Sequence, residues 1–195
     1  MKQFLTMVVM MALTMPVFGQ NQQTLLQGDI DHGGYGGPVL KAVQIDGSTE
    51  MMVGGRGGWI INHTFVLGGG GYGLASNHPA GEDSLLELGY GGLYCMVILQ
   101  SDEMIHVTAG SMFGAGGIDR RPDLEDWEDY DHNNNDGNPF WVIEPEVNLE
   151  LNVTNFFRIG AGVSYRYVKA MDGFDTMGIE LSGYAANLEF KFGGF

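Results

Sequence analysis

The sequence predicts an all-β fold: a single eight-stranded antiparallel up-and-down transmembrane barrel that follows a cleaved signal peptide. Three observations lead there. Oily and polar residues alternate with period two, glycines crowd the apolar segments, and short links take turns with long ones. The clearest alternation is VNLELNVTNFFRIGAGVSYRYV, Val147 to Val168. One parity holds Val147, Leu149, Leu151 and Val153, then Phe157, Ile159, Ala161, Val163, Tyr165 and Tyr167. The other holds Asn148, Glu150 and Asn152, then Arg158, Gly160, Gly162, Ser164 and Arg166. Period two is the strand repeat, because successive side chains point to opposite faces. A soluble sheet turns its oily face to a core. A membrane barrel turns it to lipid and lines its interior with the other.

Taken in order, residues 1–19 read as a secretory signal peptide. Lys2 supplies the positive start, residues 4–15 a short apolar run, Pro16 a break, and Gly19 the small residue at the cut. That run of about 12 residues falls short of the roughly 20 that a spanning helix requires. No cysteine follows it, which argues against a lipoprotein anchor. Residues 20–32 form a short N-terminal segment, and the barrel is expected over residues 33–195. No later run is long and apolar enough for a transmembrane helix, but a barrel strand needs only about 9–11 residues.

The chain carries a net charge of −15, and losing Lys2 with the signal peptide makes it −16. Phosphate backbones require basic patches, so a nucleic-acid partner is not expected. The single cysteine, Cys95, has no internal partner and reads as a buried, inert thiol within YCMVIL. The 32 glycines show no collagen period. They cluster in MMVGGRGGWII, FVLGGGGYGL, LELGYGGLY, FGAGGI and FRIGAG, where strand glycine marks tight curvature or a crowded interior.

Eight strands are expected at about 35–44, 49–61, 65–74, 85–99, 105–116, 140–153, 156–168 and 178–192. Pro38 lacks a ladder donor and belongs at an edge, an end or a bulge. The links after strands two, four and six are short, and those after three, five and seven are longer. Only the first, at residues 46–48, is shorter than this alternation expects. Short turns on one side and long links on the other are the barrel pattern, and an even strand count brings both ends to the short-turn side. Trp59, Phe65, Phe156, Phe157 and Phe192 fall near the short turns, and Tyr72, Trp141, Tyr165 and Tyr167 near the long links. Two aromatic girdles at two lipid–water interfaces are expected of such a barrel.

The oily face of Val147 to Val168 is therefore expected to meet lipid. Arg56, Glu87, Glu146, Glu150, Arg158 and Arg166 are the expected lumen charges. A turn centred near Thr154 would set Glu150 opposite Arg158, as a buried pair. The interior of an eight-stranded barrel is just wide enough for side chains to fill, so this lumen is expected to be more plug than pore.

On these features the chain resembles the small eight-stranded outer-membrane barrels of the OmpA/OmpX type, and particularly the uncharacterised outer-membrane barrel proteins of Bacteroidetes. The resemblance covers the signal peptide and roughly residues 33–195, and extends to the ending NLEFKFGGF. It implies recognition of a terminal aromatic, matched by Phe195, by the barrel insertion machinery. Leu188, Phe190 and Phe192 alternate cleanly, with Phe195 out of step. The resemblance carries over no catalytic or ligand motif.

The loop at about residues 118–139 is the most unusual segment, with eight acids against two arginines between residues 119 and 136. Asp129, Asp131, Asn133, Asn135 and Asp136 offer oxygen donors of the kind calcium prefers. Their spacing matches the start of an EF-hand loop, but glycine arrives one residue late, at Gly137, and Val142 stands where the bidentate Glu belongs. A solvated external loop is the favoured reading, with calcium as the alternative and no other cofactor expected. No histidine pair has zinc-ligand spacing with a third ligand nearby, and His106 reads as a lumen polar residue rather than a base.

The expected function is that of a non-enzymatic integral protein of the cell outer membrane, structural or surface-binding through its external loops. Its partners would be outer-membrane lipid, the insertion machinery and an external ligand of unspecified chemistry, and it would be a monomer. The alternatives are a lipid-modifying barrel enzyme dependent on His106, a soluble exported barrel holding an apolar ligand, and a narrow channel.

Overall fold

The computed structural model describes residues 30–76, 78–81, 84–122 and 137–195. The signal segment 1–19 and the loop donors Asp129, Asp131, Asn133, Asn135 and Asp136 lie outside the described residues. Residues 31–195 form one unit. Nine strands follow one another: β1 (His32–Ile45), β2 (Ser48–Ile61), β3 (Phe65–Leu74), β4 (Pro79–Gly81), β5 (Ser84–Leu99), β6 (Ile105–Pro122), β7 (Asn138–Asn152), β8 (Phe157–Ala170) and β9 (Gly183–Gly194). The sheet order is β3-β2-β1-β9-β8-β7-β6-β5-β4, and a β3–β5 pairing closes it. Neighbouring strands pair antiparallel throughout the described residues. The result is an eight-stranded barrel, with β4 a short addition that pairs only with β5.

The eight expected strands all form, and the differences are at their ends. β4 arises inside the link after β3. β6 continues to Pro122, six residues beyond its expected end. β9 starts at Gly183 rather than residue 178, because residues 171–182 leave the ladder, turning at Gly173 (φ 88°), Met177 (φ 56°) and Gly178 (φ 75°). The first link is the two-residue turn Asp46-Gly47, with φ of 48° and 78°. Two consecutive positive φ values match the twist of the flanking strands, which is why Asp-Gly suits this position. Pro38 sits inside β1, and the β1–β9 ladder skips Gly37 and Pro38 there.

Outward and inward faces divide sharply. From Gly34 to Ala42 on β1, Met51 to Ile61 on β2, Val147 to Leu151 on β7 and Tyr184 to Phe192 on β9, the outward parity carries no charge. Leu93 is 74% exposed and Leu149 56%. Cys95, expected to be buried, is exposed on the same outward parity of β5 as Leu93, because both faces of YCMVIL are apolar and the run alone does not say which one points out. Gln44, Glu87, Asp119 and Lys169 are the first outward polar residues at the long-link end. The inward face instead buries Lys41, Arg56, Glu144, Glu146, Glu150, Arg158, Arg166, Glu189 and Lys191. A soluble barrel has the opposite arrangement.

Tyr72 departs from the expected girdle. It faces inward and is buried. Trp141, Tyr165 and Tyr167 face outward, as do Trp59, Phe65 and Phe192, and all six are exposed.

Candidate functional site

The lumen is the most heavily built polar site among the described residues. Five bases and four acids are buried there, so it is close to neutral and the acidic excess of the chain falls elsewhere. The ionic groups come from strands β1, β2, β7, β8 and β9 and meet across the interior.

Nearest the short-turn end, Arg158 lies with its guanidinium carbon 4.0 Å from the Phe195 ring centroid. Phe195 also stacks on Tyr35, at 6.0 Å between centroids. This explains the parity break after Phe192: the last aromatic turns inward onto a cation. Next, Glu150 accepts from Lys191 and, at 3.2 Å, from the hydroxyl of Thr108. His106 Nε2 lies 3.4 Å from Glu150, and its Nδ1 is 3.3 Å from the Glu103 carbonyl.

Arg56 forms the middle tier. Its Nε donates to Glu189 at 2.7 Å, while Nη1 pairs with Glu146 and Nη2 with Glu189. Two carboxylates on different strands thus share one guanidinium, which a planar fork of donors can serve and an ammonium cannot match. Lys191 reaches Glu189 at 3.5 Å and joins this tier to the one below. Space for the long side chains comes from glycine. A Cβ on Gly70 would stand 2.7 Å from that of Arg56, and one on Gly68 would stand 2.6 Å from the Tyr94 hydroxyl. Tyr94 donates to Tyr35 at 2.7 Å.

Above it, Glu144 accepts from Lys41 at 2.7 Å, Ser164 at 2.6 Å and Tyr90 at 2.8 Å. Lys41 Nζ also sits 4.0 Å from the Tyr72 ring centroid. Arg166 closes the series, donating to the carbonyls of Leu181 at 2.8 Å and Gln44 at 3.0 Å. Taking an ion from water into a protein interior costs several kcal/mol, so such charges persist only where each has close partners.

Of the lumen charges expected from sequence, Arg56, Glu146, Glu150, Arg158 and Arg166 face the interior. Glu87 does not: it is exposed on the outward face of β5, opposite Asp119 of β6. The reason is strand length. β5 has 16 residues and β6 has 18, more than the span of a membrane strand. Beyond the apolar belt the outer face meets water and the inner face becomes a small apolar core, with Leu86 and Leu88 buried beside Glu87. The expected Glu150–Arg158 pair is also corrected. Arg158 lies opposite Asn152, and Glu150 opposite Gly160, because the hairpin pairs about residue 155, one position later than Thr154.

Lys41, Glu144, Glu189 and Lys191 were not expected. Parity carries the signal for three of them. Glu144 shares its parity with Glu146 and Glu150, and Glu189 and Lys191 alternate with Leu188, Phe190 and Phe192. For Lys41 parity gives no signal, because Val39 and Val43 on its own face are as apolar as Leu40 and Ala42 on the other.

The geometry does not favour hydrolysis. Hydroxyl and imidazole approach each other at Thr108 and His106 around Glu150, and again at Ser76 and His78 around Glu50. In both clusters the carboxylate stands between them, so the imidazole is not placed to take the hydroxyl proton. Among the described residues no group of three His, Cys, Asp or Glu could hold a metal ion.

The comparison with solved structures bears on this architecture. The Neisserial surface protein A structure is 12% identical with a TM-score of 0.51, covering 85% of this chain and 99% of that one. OprG, an outer-membrane protein of Pseudomonas aeruginosa, is 10% identical with a TM-score of 0.51, covering 83% and 94%. The fold is that of the small outer-membrane barrels. At these identities the barrels share architecture only. No family model matches the chain. No curated protein matches it either.

Proposed function

We propose that this protein is a non-enzymatic integral barrel of the bacterial outer membrane, exported through its N-terminal signal, whose packed lumen holds up external links that meet surface partners. The observation that carries the reading is the inverted polarity of the wall. Nine ionic side chains are buried inside, while large apolar residues such as Leu93, Leu149, Val163 and Trp141 are exposed outside. A continuous apolar exterior of this kind is unfavourable in water and favourable in lipid. The tiers of side chains that bridge the lumen support a scaffold rather than a pore. The acidic link around Asp129 to Asp136 is proposed to stand outside as a solvated segment, with calcium as its candidate ion.

Fractionation of the producing cells tests this, followed by SDS gel migration of the detergent-extracted protein with and without boiling. Outer-membrane recovery with a heat-modifiable band is expected. Recovery as a soluble protein without detergent would overturn it.

A further inference from the structure

Four of the five buried bases have acceptors. Lys41, Arg56 and Lys191 pair with carboxylates, and Arg166 holds two carbonyls. Arg158 differs. It is 7% exposed, and its guanidinium lies against the Phe195 ring. Among the described residues it has no carboxylate within ion-pair range and no hydrogen-bond acceptor. The register that sets Glu150 opposite Gly160 removed the carboxylate it would have met. A π-face offsets part of the desolvation of a guanidinium, but it leaves the N–H donors in the ring plane unserved.

The groups around Arg158 are unpaired in a complementary way. Asn152 stands opposite it across β7–β8. Asn152 Nδ2 donates to the carbonyls of Glu103 at 2.8 Å and Ser101 at 3.3 Å. Carbonyls accept only, so the amide has one orientation, and its Oδ1 is buried without a partner among the described residues. The Glu103 carbonyl also faces His106 Nδ1 at 3.3 Å, which brings the imidazole beside Asn152. His106 Nε2 is buried without a hydrogen bond, 3.4 Å from Glu150. Glu150 is itself engaged by Lys191 and Thr108, and Lys191 stands opposite Arg158 on β9. Two cations therefore flank one carboxylate, and this end of the lumen carries a positive excess. There is also room. Gly160 is the next inward residue of β8, and a Cβ there would meet Glu150 Cγ only at 3.5 Å, whereas one on Gly162 would strike Asn148 Oδ1 at 2.1 Å.

We propose that the short-turn mouth of the lumen binds a small oxyanion that carries a hydroxyl, of the phosphate class. The Arg158 fork donates paired hydrogen bonds to the anion's oxygens, while the Phe195 ring holds the guanidinium plane in place. Asn152 Oδ1 accepts from the P–OH group. Sulfate has the same shape but no proton to donate at neutral pH, so the buried Asn152 oxygen disfavours it. That the anion arrives from the periplasm rests on the membrane reading above; the site itself does not.

NMR of the full barrel in maltoside micelles, which hold no phosphate, tests the proposal. The protein is titrated at neutral pH with phosphate, sulfate or chloride at constant ionic strength. The Arg158 Nε–H signal of the wild-type protein is expected to shift saturably with phosphate, at about ten-fold lower concentration than with sulfate, and to stay still with chloride. Arg166, at the other end and already serving two carbonyls, is the internal control. Asn152→Ala is expected to abolish the preference for phosphate over sulfate. Arg158→Lys keeps the charge without the fork and is expected to weaken phosphate binding about ten-fold, read from the His106 and Phe195 signals. Equal wild-type responses to phosphate and sulfate, or an Arg158 signal that moves only in step with Arg166, would overturn the proposal whatever the variants do. Soluble recovery in the fractionation experiment would sink the membrane reading without touching this site.

Discussion

Arg56 offers the sharpest test of the lumen. Replacing it with Leu keeps an aliphatic side chain in place but leaves Glu146 and Glu189 without their shared cation. Glu189 keeps Lys191 at 3.5 Å, and Glu146 keeps, among the described residues, the Asn148 amide at 3.2 Å. Removing one partner of a buried ionic cluster costs about 3–5 kcal/mol, because the orphaned charge stays desolvated. With a urea slope of about 2 kcal/mol/M, a loss of about 4 kcal/mol lowers the unfolding midpoint by about 2 M. The assay is urea unfolding in lipid vesicles, read from the fraction that still migrates as the unboiled band. Adding Glu146→Gln and Glu189→Gln to Arg56→Leu should recover most of the loss, since no unpaired charge then remains. A midpoint for Arg56→Leu within about 0.25 M of wild type, an effect of about 0.5 kcal/mol at that slope, would refute the reasoning. It would mean that water reaches and screens the carboxylates.

Other variants separate the faces. Glu150→Ala should destabilise by about 3 kcal/mol by taking the nearer carboxylate of buried Lys191 and leaving it only Glu189 at 3.5 Å, whereas Glu87→Ala, at an exposed outward site, should stay within about 0.5 kcal/mol; equal effects in urea unfolding would contradict the assigned faces. Val147→Arg places a charge on the apolar belt and should cost about 2–4 kcal/mol in vesicle refolding, an effect absent if that face meets water. Phe195→Ala removes the ring over Arg158 and should lower stability by about 0.5–2 kcal/mol, while Phe195→Tyr, which keeps a π-face, should recover most of it.

The existence of eight strands, the links between them and the wall's inside-out polarity were legible in the chain. Period-two alternation needs no tertiary information: in VNLELNVTNFFRIGAGVSYRYV each residue's face follows from its parity. That reasoning reached Arg56, Glu146, Glu150, Arg158 and Arg166. It failed at Glu87 because parity separates two faces without saying where the membrane stops. Above the belt the favoured polarity reverses, and only the paired lengths of β5 and β6 reveal that height.

Partners across the lumen were out of reach for a different reason. Lys41 and Glu144 stand 103 positions apart, and Arg56 and Glu189 are separated by 133. Their meeting depends on barrel closure through β3–β5 and on the register of every hairpin, where a one-residue change in a turn centre moves each opposite partner by two. The same holds for Leu181, which the sequence assigns to a strand and which instead lies buried in the link between β8 and β9. Alternation by itself determined which faces the side chains take, because that is a local property of extended backbone. Closure and register decided which charges meet, because that depends on residues far apart in the chain.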